Sequence, residues 1–117
     1  MSHRKLDIAS LRPYCPYYAA AFDSIGRRWA ATVLRALLGG ATRFGDIATA
    51  VPGMTDKLLS QRLKDLEADG LVERQVQPTT PVRIEYRLTE KGAELGKVLL
   101  ALNEWALEWI ELPAEAG

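Results

Sequence analysis

Thr55-Asp56-Lys57-Leu58-Leu59-Ser60-Gln61-Arg62-Leu63-Lys64-Asp65-Leu66-Glu67-Ala68-Asp69-Gly70-Leu71-Val72 decides the fold. Thr55 offers a capping hydroxyl, Leu59, Leu63 and Leu66 recur on one apolar stripe, and Gly70 stands where a helix is stopped. The period then changes from helical to alternating. Val72 and Val76 alternate with Glu73 and Gln75, and Ile84, Tyr86 and Leu88 with Arg83, Glu85 and Arg87. This predicts a helix over 55–69 followed directly by two antiparallel strands. Their connection, Gln77 to Val82, carries Pro78 and Pro81 and is too long for a two-residue turn, so it should project as a wing.

Upstream, Phe44, Ile47, Ala48 and Val51 predict a short helix that Pro52-Gly53 ends. Before it, Trp29, Val33, Leu34, Leu37 and Leu38 predict a helix opening at Trp29 and closed by Gly39-Gly40. Cys15-Pro16 opens the first helix, with proline at the first helical position, and Gly26 closes it after Ile25. Downstream, Thr89 caps a last helix reaching about Trp109, with Leu95, Val98, Leu99, Leu102, Trp105, Ala106 and Trp109 on one broad face and Pro113 beyond its end. A short helix, a glycine-bearing turn, a longer helix and a hairpin occur in the order of a winged helix-turn-helix. The expected class is mainly α with a small antiparallel β-hairpin, flanked by N- and C-terminal dimerisation helices. Residues 1–14 read as an N-terminal arm, 15–112 as one domain, and 113–117 as a flexible tail.

Composition narrows the function. Fifteen Lys and Arg balance fifteen Asp and Glu, so the chain as a whole has no general attraction for nucleic acid, and any basic patch must be local. The single cysteine, Cys15, cannot form an internal disulfide, and the single histidine, His3, has no companions for a metal site, so neither metal nor cofactor is expected. Residues 1–10 lack the apolar stretch of a signal peptide, and no apolar run is long enough to span a bilayer, which together predict a cytoplasmic protein. Glycine-rich phosphate loops, nucleophile elbows and His/Cys/carboxylate clusters are all missing, which argues against an enzyme.

On the face of helix 55–69 opposite the leucines, Lys57, Ser60, Gln61 and Lys64 fall at i, i+3, i+4 and i+7 with no acidic residue between them in that row. Lysine supplies charge for phosphates and guanine acceptors, while glutamine and serine can read base edges in a major groove that admits one helix. The same row is also what a plain solvated helix face looks like, and the wing tips the balance. Thr55 at the cap joins the row. Arg83 and Arg87, on the outward face of the second strand, place cations where a wing meets the backbone or minor groove, and Arg43 can hold a phosphate across the groove. Asp56, in the first turn, is open to two readings, a cap or an acceptor for a cytosine amino group.

These residues resemble the HxlR-type winged-helix regulators of bacteria, a family related in fold to MarR-like regulators. The resemblance is carried by Cys15-Pro16, Ile25-Gly26-Arg27-Arg28-Trp29, Leu34-Arg35-Ala36-Leu37, Arg43-Phe44, Pro52-Gly53, Leu59 with Gln61 and Leu63, Leu66 to Val72, Arg83 to Thr89, and Lys91-Gly92. Two positions depart from the family pattern, Arg28 in place of lysine and Val82 in place of a second proline, and they bear on wing shape rather than fold. The resemblance implies a cytoplasmic transcription factor, usually a homodimer on double-stranded DNA. It also implies, in some members, a response to an electrophile, an oxidant or a small-molecule effector.

The last helix carries more aromatic surface than a small winged-helix core needs. Leu102, Trp105 and Trp109, with Tyr17, Tyr18 and Phe22 of helix one, are therefore the expected dimer interface. The alternative is that these side chains fold back on one another within a single protomer. Cys15 is a candidate redox sensor, because an N-cap position and the neighbouring Arg12 favour a reactive thiolate; a buried, inert cysteine is the competing reading. A winged-helix module that binds protein without specific DNA recognition is the second functional reading, permitted by the neutral net charge.

Overall fold

The computed structural model describes residues 5–113; His3 and residues 114–117 of the expected tail lie outside them. A short 3-10 turn at Ile8–Ser10, capped by Asp7, lies within the arm. Then come α1 (Pro16–Ile25), α2 (Ala30–Leu38), α3 (Phe44–Ala50), α4 (Asp56–Ala68), β1 (Val72–Gln77), β2 (Arg83–Leu88) and α5 (Glu90–Trp109). The fold is a winged helix-turn-helix, with α3 and α4 as the helix pair and the antiparallel hairpin as the wing.

Helix α2 is the centre of the core. Its Val33, Leu34 and Leu37 meet Ile47 of α3, Leu59, Leu63 and Leu66 of α4, Leu71, Val72, and Leu99 of α5 in one apolar cluster. The three leucines of α4 are essentially free of solvent, so truncating any one to alanine should cost about 2–5 kcal/mol. The apolar stripe thus fixes which face of α4 turns inward, and by exclusion which face turns to solvent.

Gly70, at φ 75°, makes the turn that ends α4. Its N–H donates to the Glu67 carbonyl and that of Leu71 to the Leu66 carbonyl, closing the last turn in a pair of hydrogen bonds that needs the left-handed conformation. The hairpin follows at once, pairing Val72 with Leu88 through Gln77 with Arg83. The Tyr86 N–H donates to the Thr42 carbonyl at 2.7 Å, which docks the segment before α3 onto the free edge of β2. Thr89 then starts α5, its hydroxyl accepting from the Gly92 N–H and donating to the Gly70 carbonyl. Gly92 is required here because a Cβ would run into the Leu71 carbonyl.

Two expectations are corrected, and one alternative is not seen in the protomer. Helix two opens at Ala30, not Trp29; Trp29 is its N-cap residue and sits at φ 75°, a left-handed conformation that costs a bulky residue about 1–3 kcal/mol. Its ring is held under the Arg28 guanidinium at 5.4 Å, and its tip reaches the turn at Gly53. Val76 does not continue the buried side of β1 but is half exposed, because the hairpin there has left the body of the domain for the wing. The aromatic residues of the terminal helices do not fold back within the protomer. Tyr17 is 83% exposed, Trp105 53% and Trp109 69%, and α1 contributes no buried residue to the core.

Candidate nucleic-acid interface

The row expected on α4 is present. Lys57, Gln61 and Lys64 are exposed and Ser60 half-buried, all on the face away from Leu59, Leu63 and Leu66. Thr55 holds the N-terminus, its hydroxyl accepting from the Leu58 N–H at 3.1 Å, so its first role is the cap. Asp56 lies exposed in the first turn, where the helix dipole favours a carboxylate.

Asp65 lies on the flank of the row, and its carboxylate accepts from the Gln61 amide at 3.0 Å, one helical turn away, and from the Arg62 guanidinium at 2.9 Å. The Gln61 hydrogen bond is the largest influence on the Asp65 carboxyl, and together with the Arg62 hydrogen bond and the charges of Arg27 and Arg62 it outweighs the upward push of burial and holds the group below its usual value. The Gln61 amide nitrogen is thereby engaged within the helix by one of its two N–H donors, and the other donor and the carbonyl oxygen remain for a base edge.

Arg43 and Arg83 come together. Arg43 is the N-cap residue of α3, Arg83 the first residue of β2, and both line one recess of about 290 Å³ with Thr79, Thr80, Pro81, Val82 and Ile84. Thr42, docked on Tyr86, is what brings Arg43 to the wing. Arg87 is otherwise occupied: its guanidinium pairs with Glu85 at 2.9 Å, and the same Glu85 oxygen accepts from Gln77. Among the described residues Arg43, Lys57, Lys64 and Arg83 have no carboxylate within ion-pair distance.

Sequence reasoning missed Arg74. It stands opposite Tyr86 in the hairpin register and lines a second recess, between α4 and the hairpin, with Ser60, Lys64, Glu67 and Tyr86. Its place follows from alternation: Val72, Arg74 and Val76 share one side of β1, and Val72 at the base of the strand is buried, so Arg74 falls on the side that faces α4. Cys15 is exposed in the protomer at the N-cap of α1, and its side chain makes no capping hydrogen bond. Among the described residues no helix is long and apolar enough to cross a membrane.

The profile of the HxlR-like helix-turn-helix family matches residues 24–113, all of α2 through α5 and the wing. The chain belongs to this family. It is 46% identical over 97 residues to the uncharacterized HTH-type transcriptional regulator YvaP of Bacillus subtilis, covering 83% of this chain and 90% of that protein. The solved structure of the reduced form of the transcriptional regulator YodB from B. subtilis superposes with a TM-score of 0.72 at 40% identity, covering 86% of this chain and 99% of that one. The redox regulator HypR in its oxidized form superposes at 0.77 with 33% identity over 84% of this chain and all of that one. This HxlR-family chain therefore shares its winged helix-turn-helix and its HTH-regulator relatives across most of its length.

Proposed function

We propose that the protein is a sequence-specific DNA-binding transcriptional repressor that acts as a homodimer. It reads a pseudo-palindromic operator through α4 and the wing at 77–83. The observation that carries this reading is the outward row Lys57, Ser60, Gln61 and Lys64 on α4, flanked by the recess that joins Arg43 to Arg83. The helix places base-reading groups where a major groove admits them, and the two arginines sit where the adjacent phosphates run. Pairing two copies through the exposed aromatic surfaces of α1 and α5 sets the α4 helices for half-sites about 34 Å apart.

Salt dependence of binding tests this reading. With Arg43, Lys57, Lys64 and Arg83 each reaching a phosphate in both protomers, about eight contacts form, and the log–log slope of affinity against salt should be about −7. A slope near zero would remove DNA as the partner and favour a protein-binding module. Regulation enters through Cys15, the exposed thiol at the start of the helix proposed to pair the protomers. An electrophile adds there by forming a carbon–sulfur bond with loss of the thiol proton, and the relationship to YodB and HypR, the latter described as a redox regulator, supports such a response. Cys15→Ser should abolish electrophile-dependent loss of operator binding; unchanged dependence would discard Cys15 as the sensor.

A further inference from the structure

Helix α4 is tied to one short segment, residues 24–29, at three levels. Before its first turn, the Trp29 ring reaches Gly53. In its middle, the Arg62 Nε donates to the Arg28 carbonyl at 2.7 Å across 34 positions of sequence, while its Nη1 is held by Asp65. At its end, the Asp69 carboxylate accepts from the Ser24 hydroxyl at 2.6 Å and from the Arg27 guanidinium at 3.3 Å. The Asp69 carbonyl also accepts from Lys91 of α5 at 2.6 Å. Helix α1 has no fully buried residue, and its last turn joins the body of the domain through the half-buried Ile25 packed on the core and through these polar bonds.

We propose that Arg62 and Asp69 are positioning residues for DNA reading. They fix the attitude of α4 relative to α1 and so set the separation of the two reading helices in the dimer. The inference rests on the proposed reading of α4 as the DNA-reading helix and of α1 as part of the dimer contact. Neither residue lies on the outward row, and both hydrogen-bond to the segment that leads out of α1. A displacement of α1, at the end opposite Cys15, reaches α4 through the Ser24–Asp69 bond and the Arg28–Arg62 bond. Trp29 sits at the same junction in a left-handed conformation that persists because its surroundings, the Arg28 guanidinium and the turn at Gly53 among them, hold it there.

The test uses the full-length chain and its Asp69→Asn, Arg62→Lys and Ser24→Ala variants, with palindromic duplexes enriched by selection on the unmodified protein. The duplexes differ in half-site separation by single base pairs. Couplings of this kind run at roughly 5–150-fold, so the preference for the best separation over its neighbours should fall about tenfold in Asp69→Asn and Arg62→Lys. The salt slope should stay unchanged, because no phosphate contact is removed. Ser24→Ala, which removes a single bond and leaves the Asp69 charge in place, should show a smaller change in the same direction. Affinity that falls equally at all separations in step with thermal stability would assign the residues a structural role and overturn the proposal. A reduced salt slope would make them contacts and overturn it equally. If the unmodified protein bound no duplex with steep salt dependence, the DNA reading would fail by itself. Amide exchange then decides the tie: Asp69→Asn should speed exchange in the last turns of α1 and α4 while α2 and α3 keep their protection, and uniform loss refutes it.

Discussion

Replacing Trp105 by alanine tests the pairing surface where its energetics are clearest. A tryptophan side chain offers roughly 150–250 Å² of contact area, and 53% of Trp105 is uncovered in the protomer, leaving roughly 100 Å² for a partner to cover. At about 25 cal/mol per Å² this is about 2.5 kcal/mol, and a two-fold interface uses the residue twice, for about 5 kcal/mol per dimer. The dissociation constant should therefore rise by roughly three to four decades. The protomer should stay folded, because Trp105 lies outside the buried cluster around α2. Sedimentation velocity over a wide concentration range reads the constant directly, and the melting temperature of the unmodified protein should rise with its concentration. A monomeric unmodified protein, or a change of less than about tenfold in the variant, would refute the assignment of this surface to a second copy.

Within the DNA interface, Gln61→Ala should relax preference at one base position by about 1–3 kcal/mol, whereas Arg83→Ala should weaken all sequences nearly alike; equal patterns of loss in a binding-site selection would contradict this division. Gly92→Ala should destabilise the fold by about 2–3 kcal/mol in urea unfolding, since the new methyl meets the unyielding Leu71 carbonyl. Gly96→Ala should cost less, because its methyl meets the flexible end of Leu38, and the reverse order would mean that α5 packs differently. Asp65, whose pKa is lowered in the folded state from 3.8, contributes stability that is complete above that unfolded-state value and is lost as pH falls through the lower folded one. The melting-temperature gap between the unmodified protein and Asp65→Asn should accordingly be flat above about pH 5 and shrink below about pH 4; a gap that persists to pH 2 would deny the shift.

Most of the architecture is legible because it depends on period. The leucines at 59, 63 and 66 can share a buried stripe only as a helix, and the switch to alternation after Gly70 admits only strands. What escaped depends on contacts distant in sequence. Trp29 continues the apolar pattern of α2, but it takes a left-handed backbone beside the Arg28 guanidinium and the turn at Gly53, contacts that periodicity does not contain. Val76 alternates correctly yet lies past the point where the hairpin leaves the domain, so the pattern names its side and not its burial. The hydrogen bond from Gln61 to Asp65 is the opposite case. Its i, i+4 spacing is legible in the sequence, but the sign of charge that defines the outward row says nothing of the local acceptor the Gln61 amide takes.

How a chain with no net charge presents a cationic surface follows from where its carboxylates are spent. Asp65 is taken by Gln61 and Arg62, Asp69 by Ser24 and Arg27, and Glu85 by Gln77 and Arg87. Three acidic groups on or beside α4 and the wing are thus engaged, while Asp56, Glu67 and Glu73 are exposed without an ion pair among the described residues, and Arg43 and Arg83 meet in one recess clear of any carboxylate. Glu85 is the restraint that can be lifted with least damage, since its partners Arg87 and Gln77 lie on the outward side of the hairpin, away from the core cluster. Glu85→Gln keeps the shape and releases Arg87, adding about one phosphate contact per protomer. Because each contact contributes about −0.9 to the log–log salt slope, the dimer's slope should steepen by about 1.8, with affinity for unrelated sequences rising as much as affinity for the operator. An unchanged slope would mean that Arg87 faces no phosphate even when free, and the wing contact would then contract to Arg83 and Arg43.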